Sequence, residues 1–135
     1  MTPKRILIIE DEQSIRELLA YRFRKLGFEV ILAKDGQEGL EQVRRECPDL
    51  IILDLMLPKF SGENVCKAIR EDENKKVASI PIIMLTAKNS DADRIIGKVI
   101  GANCYMTKPF RAKDLLNEVR NLSMSSGRIP TQEGL

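Results

Sequence analysis

The segment Leu50-Ile51-Ile52-Leu53-Asp54 decides how this chain folds. Four consecutive apolar residues are typical of a strand that is covered on both faces, because a half-exposed strand would alternate polar with apolar side chains. The acid that follows them is predicted at the carboxyl end of that strand. A central strand of this kind indicates a parallel sheet with helices packed on both faces.

Short apolar runs alternate with helical stripes on either side of this segment. Strands are predicted at 5–9, 28–33, 49–54, 81–86 and 103–107, and helices at 14–26, 37–47, 62–72 and 112–122. A further helix is predicted to begin after Ser90 or Asp91 and to end at Ile100, before Gly101. This alternation predicts an α/β fold with right-handed crossovers. We expect a doubly wound five-stranded parallel sheet, order 2-1-3-4-5, with five helices on both faces, the flavodoxin-like arrangement.

Composition predicts one domain over residues 1–122, followed by a polar, Gly- and Pro-containing flexible tail over residues 123–135. Lysine and arginine number 22 and aspartate and glutamate 20, a net charge of +2 that argues against direct nucleic-acid binding. The longest apolar runs are far shorter than the ~20 residues of a membrane-spanning helix. No membrane association is therefore predicted.

The cysteines and the missing histidines restrict the chemistry further. Cys47, Cys66 and Cys104 are widely spaced and form no C-x-x-C motif, which favours reduced thiols in a cytoplasmic protein. The chain contains no histidine. This excludes Ser-His-Asp and Cys-His catalysis and histidine-ligated zinc within these residues.

Acidic side chains follow the two strands that flank the predicted switch point of the sheet. Glu10 and Asp11 come after the first strand and Asp54 ends the third. Ligands of such sheets bind where the strand order reverses. Two carboxylates ~5 Å apart repel by roughly 3 kcal/mol at an effective dielectric of 20, so this cluster should hold a proton or a cation. Oxygen ligands favour Mg²⁺ over zinc, whereas any one of these acids alone would be read as a solvated strand-end charge.

The fourth and fifth strands add a hydroxyl and an ammonium group at the same edge. Thr86 ends the fourth strand and Lys108 follows the fifth, although each alone also fits an ordinary strand end or loop. Acids, a hydroxyl and a cation suit a phosphoryl group, with Asp54 as the candidate acceptor on a rigid strand end. The chain has no glycine-rich phosphate loop, which argues against nucleotide and flavin binding.

Five short motifs occur in order along the chain. They are Ile9-Glu10-Asp11-Glu12, Leu53-Asp54-Leu55-Met56-Leu57-Pro58, Ser61-Gly62, Leu85-Thr86-Ala87 and Tyr105-Met106-Thr107-Lys108-Pro109-Phe110. Together, over residues 4–122, they resemble the receiver domain of bacterial two-component response regulators. The resemblance implies a phosphorylation-dependent switch. Asp54 would accept a phosphoryl group from a sensor histidine kinase or a phosphotransfer protein.

The resemblance also implies the ligands of the site. Asp11 would bind Mg²⁺ directly and Glu10 through water, with Asp54 and the backbone carbonyl of Met56 completing the protein ligands; Mn²⁺ would substitute for Mg²⁺. Lys108 would contact the phosphoryl oxygens. The Lys108–Pro109 peptide bond is predicted to be cis, a conformation of only ~5–6% of X–Pro bonds in general.

The switch implied by the resemblance involves two further residues. Thr86 would move toward the phosphoryl group and Tyr105 would turn inward behind it. The surface of the fourth predicted helix, the fifth strand and the fifth predicted helix would then change for a downstream partner or a missing output domain. A monomer or weak dimer is expected, because Asn103 and Cys104 stand where receivers of the winged-helix class usually carry two acids used in dimer contacts.

Two other functions remain alternatives to this switch. The domain is predicted to assist its own phosphorylation and dephosphorylation without being a turnover enzyme. An aspartyl-phosphate hydrolase of related architecture would need an acid two residues after the nucleophile, where Met56 stands. A pseudo-receiver that is never phosphorylated is disfavoured by the complete set Glu10, Asp11, Asp54, Thr86 and Lys108.

Overall fold

Five parallel strands form the centre of the protein. In the computed structural model, which describes residues 4–58, 60–86, 101–108 and 110–124, they follow the order β2-β1-β3-β4-β5. Their bounds are β1 (Arg5–Ile9), β2 (Glu29–Ala33), β3 (Leu50–Asp54), β4 (Ile82–Thr86) and β5 (Cys104–Thr107). The predicted sheet order is confirmed, and each strand begins zero or one residue after its predicted start.

The described helices are α1 (Gln13–Lys25), α2 (Gly36–Glu46), α3 (Gly62–Arg70), α4 (Lys75–Ala78) and α5 (Ala112–Met124). The last of these continues two residues beyond its predicted end at Leu122. The helix predicted up to Ile100 and the Lys108–Pro109 bond both involve residues outside the described part of the chain. No helix among the described residues is long and apolar enough to cross a membrane.

One predicted connection contains a short helix. No element is predicted between the helix at 62–72 and the strand at 81–86, but α4 forms there. The Asn74 side chain accepts a hydrogen bond from the backbone N–H of Lys76 at 2.9 Å, which caps the turn. Val77 is buried against the core. A four-residue turn has too few residues to show a helical stripe, and so the pattern did not predict it.

The core lies in two layers, one on each face of the sheet. Side chains alternate along β1, so Ile6 and Ile8 pack with α1 and α5 while Leu7 and Ile9 pack with α2 and α3. Every residue of β3 is buried, as its unbroken apolar run predicts. The doubly wound arrangement follows directly, because both faces of the central strands are covered.

Polar side chains cap α2 and α3 at the edge of the sheet where the strands end. Asp35 accepts a hydrogen bond from the backbone N–H of Glu38 at 2.8 Å. Ser61, the N-cap of α3, accepts one from the backbone N–H of Asn64 at 3.3 Å. These caps satisfy backbone donors that have no partner within the helix. They therefore define where both helices begin, beside the candidate site.

Candidate functional site

Strand register brings the predicted site residues to one edge of the sheet. Ile9 of β1 lies opposite Leu53 of β3. The residues that follow them, Glu10 and Asp54, therefore lie side by side at the carboxyl ends of the two strands. On the other side of β3, Thr86 ends β4 opposite Thr107, the residue before Lys108. Because all strands are parallel, their carboxyl ends meet at this edge.

Three carboxyl groups converge at the switch point between β1 and β3. One carboxylate oxygen from each of Glu10, Asp11 and Asp54 lies within 4.8 Å of the others. Glu10 and Asp54 are buried, with 1% and 3% of their surface exposed, whereas Asp11 is exposed. Two of the three carboxyl groups are thus buried, and the cluster reaches solvent at Asp11. Such an arrangement can receive a hard cation with waters retained.

Lys108 bridges the two buried carboxylates. Its Nζ donates to Oε1 of Glu10 and to Oδ2 of Asp54, both at 3.3 Å. Its backbone N–H donates to the carbonyl of Thr86 at 2.6 Å, which fixes the base of the side chain. Burial acts to lower the pKa of Lys108, but the charges of Asp54 and Glu10 outweigh it and raise the pKa. The ammonium therefore stays charged and partly neutralises the pocket.

The environment of the pocket raises the pKa of Glu10. Burial, together with the neighbouring charge of Asp54, raises its pKa to about 7. The backbone N–H of Glu12 donates to its Oε2 at 3.1 Å and acts in the opposite direction. Burial is thus the larger reason that the pKa of Glu10 is raised, and the charge of Asp54 adds to it.

The loop that follows β3 donates a hydrogen bond to the Asp54 carboxylate. The backbone N–H of Met56 donates to its Oδ1 at 3.0 Å, and Oδ2 faces Lys108. Gly62, at the start of α3, donates its N–H to the carbonyl of Leu55 at 3.0 Å. A Cβ atom at Gly62 would come within 2.7 Å of the Leu55 Cα, so this close approach requires glycine.

The remaining predicted residues lie around this centre. Thr86 is fully buried at the end of β4. Tyr105 is half-buried on β5 and packs against the core cluster on the α2 and α3 face. The Met56 side chain is exposed. Their roles in switching and metal binding stay predictions.

Two contacts of the site were not predicted from the sequence. One is the Lys108–Glu10 ion pair, which depends on a side-chain direction that spacing does not encode. The other involves Arg16, whose guanidinium donates to the backbone carbonyls of Glu10 and Asp11. A positive charge in the first turn of a helix interacts unfavourably with the helix dipole. The place of Arg16 at the start of α1 was therefore the one feature of the sequence that pointed to a special contact.

A 2-1-3-4-5 parallel sheet with acids at its switch point and a lysine at its rim places the protein among the doubly wound domains that have a candidate ligand site at that point. The sequence matches the family described as response regulator receiver domain over residues 6–120. The chain belongs to this family, whose members are the receiver domains of two-component signalling.

Curated relatives agree with this assignment. The alkaline phosphatase synthesis transcriptional regulatory protein PhoP of Bacillus subtilis is 44% identical over 117 residues, 87% of this chain and 47% of that protein. The sensory transduction protein RegX3 of Mycolicibacterium smegmatis is 42% identical over 115 residues, 85% of this chain and 48% of that protein. This chain spans about half the length of the curated relatives that it matches.

Solved structures show the same fold. The chemotaxis protein CheY4 of Vibrio cholerae superposes with a TM-score of 0.82 at 31% identity, covering 88% of this chain and 98% of that one. The BeF3-activated receiver domain of RstA from Klebsiella pneumoniae gives a TM-score of 0.77 at 30% identity, covering 87% and 96%. The expected fold and family are therefore both confirmed.

Proposed function

We propose that Asp54 accepts a phosphoryl group from a phosphohistidine of a sensor histidine kinase or phosphotransfer protein, and that this switches the domain. The observation that supports it is the convergence of three carboxylates and Lys108 at one end of the sheet. These 135 residues contain no histidine, so the phosphohistidine donor must lie outside them.

The transfer forms a bond between an Asp54 carboxylate oxygen and phosphorus while the N–P bond of the donor breaks. The imidazole leaves with its bonding electron pair and takes up a proton. Lys108 lies within 3.3 Å of Asp54 and can donate to the phosphoryl oxygens as they arrive. The domain assists its own phosphorylation and dephosphorylation and is a switch rather than a turnover enzyme.

Mg²⁺, with Mn²⁺ as a substitute, fits the donor set of the pocket. All three carboxylates offer an oxygen atom, and these oxygens lie within 4.8 Å of one another, a donor set that supports binding of a hard cation. Asp11, Asp54 and the Met56 carbonyl would hold the ion directly and Glu10 through water. When bound, the ion supplies neutralisation of charge on the phosphoryl group.

Switching requires contacts that form only in the phosphorylated state, because a ligand shifts an equilibrium only by its differential affinity. An aspartyl phosphate adds about two negative charges and new acceptor oxygens beside Thr86 and Lys108. Thr86 would turn toward them and Tyr105 inward behind it. The altered surface around β5 and α5 would then bind a downstream partner or an output domain.

A groove beside the pocket offers a binding place for the donor kinase. This groove of about 600 Å³ runs along α1 next to Lys108 and is lined by Ile15, Leu18, Leu19, Arg22, Phe110 and Ala112. Leu18 is half exposed there, and an apolar side chain from the partner would cover it. All three cysteines are free, in keeping with a cytoplasmic site of action.

Beryllofluoride, an acyl-phosphate mimic, tests the switch directly. In the presence of Mg²⁺ it should shift the amide resonances of Thr86, Tyr105 and Lys108 in the wild-type domain. Asp54→Asn should show none of these shifts, because its neutral side chain cannot hold the mimic. An unmoved wild-type spectrum would instead identify a pseudo-receiver. Continuous release of inorganic phosphate from many equivalents of a phosphomonoester would identify a hydrolase.

A further inference from the structure

Arg16 connects α1 to the acidic turn that follows β1. Its Nη1 donates to the backbone carbonyl of Glu10 at 2.8 Å and to that of Asp11 at 3.3 Å. Arg16 is half-buried, and none of the ion pairs between described residues includes it. Its guanidinium therefore binds the main chain of the turn rather than the carboxylates.

The usual devices that fix a helix start are missing at this turn. The N-cap residue Glu12 makes no side-chain capping bond, and the first turn of α1 contains no acidic residue. On one side the turn is tied by the Glu12 N–H to the Glu10 side chain, at 3.1 Å. On the other side Arg16 holds two successive carbonyls. Asp11 is exposed, so the backbone of the turn contributes strongly to the direction of its carboxylate.

We propose that Arg16 is a positioning residue for the divalent cation: it holds the main chain of residues 10 and 11 so that the Asp11 carboxylate points at the pocket. The inference rests on the proposed function, because it concerns the same cation. Arg16 touches neither phosphorus nor the ion. It acts through the turn.

Charge and positioning make opposite predictions for this residue. Arg16 carries a positive charge near a cation site, so its neutralisation would strengthen Mg²⁺ binding if only electrostatics mattered. If Arg16 orders the turn, its removal weakens Mg²⁺ binding instead. The identity of the ion adds a second criterion, because Mg²⁺ demands near-ideal octahedral geometry whereas Ca²⁺ tolerates flexible sites. A loosened turn should therefore lose more affinity for Mg²⁺ than for Ca²⁺.

The test is calorimetric or NMR titration of the 135-residue protein with Mg²⁺ and with Ca²⁺. We expect Arg16→Gln to raise the Mg²⁺ Kd by about tenfold, the effect of losing one to two hydrogen bonds. The Ca²⁺ Kd should rise less. Arg16→Lys, which keeps the charge and can donate to one carbonyl, should give an intermediate Mg²⁺ Kd. Arg24→Gln, an exposed charge in the last turn of α1, is the matched control and should bind Mg²⁺ as the wild type does.

Each outcome distinguishes this inference from the proposed function. Wild-type protein that binds neither Mg²⁺ nor beryllofluoride would overturn both. Wild-type protein that binds them, with Arg16→Gln binding Mg²⁺ equally or more tightly, would overturn the positioning role alone. Should Arg16→Gln fail to fold by circular dichroism, Arg16→Lys decides: an unchanged Mg²⁺ Kd, or equal losses for Mg²⁺ and Ca²⁺, contradicts the inference.

Discussion

Glu10 is almost fully buried, and its carboxylate faces both a second carboxylate and an ammonium group. Its raised pKa reflects first the burial of the carboxylate and second the neighbouring charge of Asp54. Lys108 offsets part of this rise but is shared between the two acids. A cation would relieve the rest. The chemistry of the site is therefore set by these three buried or half-buried groups.

The titration of Glu10 gives a prediction for stability against pH. With its pKa near 7 in the folded, metal-free protein and about 4.3 when unfolded, Glu10 contributes stability that is fully present below pH ~4 and lost as the pH rises through 7. Urea unfolding in EDTA should thus show that the wild type loses more stability than Glu10→Gln between pH 5 and pH 8. Added Mg²⁺ should restore stability to the wild type at pH 8.

Glu41→Gln is a suitable control for this measurement, since Glu41 is an exposed glutamate on α2. It should follow the wild type at every pH. Equal pH dependence for the wild type and Glu10→Gln would show that Glu10 is ionised normally in the folded state. The account of a charge-strained pocket would then be wrong.

Elements on the α3 side are joined by a single arginine. Arg70, at the end of α3, donates to the carbonyls of Ala78 and Ile80 and to that of Gly101, at 2.8–2.9 Å. It also donates to the Asn103 side chain at 2.8 Å, and Asn103 in turn accepts from the N–H of Ile82. The Arg70 side chain thus donates hydrogen bonds both to the segment before β4 and to the segment before β5.

Removing this arginine should destabilise the fold substantially. Arg70→Met removes the donor to the carbonyls of Ala78, Ile80 and Gly101 and one of the two donors to the Asn103 side chain. We expect the free energy of unfolding to fall by roughly 2–4 kcal/mol. Arg44→Met, whose ion pair with Asp72 is made by a side chain that is 61% exposed, should cost less than about 0.5 kcal/mol. Urea denaturation of both variants provides the measurement. Equal small losses would show that water replaces the Arg70 contacts.

The strands and the carboxylate cluster could be predicted because both follow from local pattern. Apolar runs such as 50–53 define buried strands, and parallel strands place Glu10 and Asp54 at one edge whatever the loops do. The backbone contacts of Arg16 and Arg70 were not predicted, although the place of Arg16 in the first turn of α1 is a signal in the sequence. Their long side chains reach backbone carbonyls whose positions arise only when separate elements pack together.

At the scale of the whole molecule, the candidate site and the ion pairs of Arg5 lie at opposite edges of the sheet. The carboxyl ends of its strands carry the acids, Thr86 and Lys108, while Arg5 pairs with Glu46 and Glu29 at the opposite edge. Two apolar layers hold the strands in register. The phosphoryl group proposed above would thus add its charge at the ends of strands that are packed on both faces.

Intact-mass spectrometry after incubation with acetyl phosphate, with and without Mg²⁺, tests the central claim most directly. Wild-type protein should gain one phosphoryl group only when Mg²⁺ is present. Asp49→Asn, at the opposite end of β3, should gain it as well, and Asp54→Asn should gain none. A phosphoryl gain that persists in Asp54→Asn, or that is independent of Mg²⁺ in the wild type, would contradict the account.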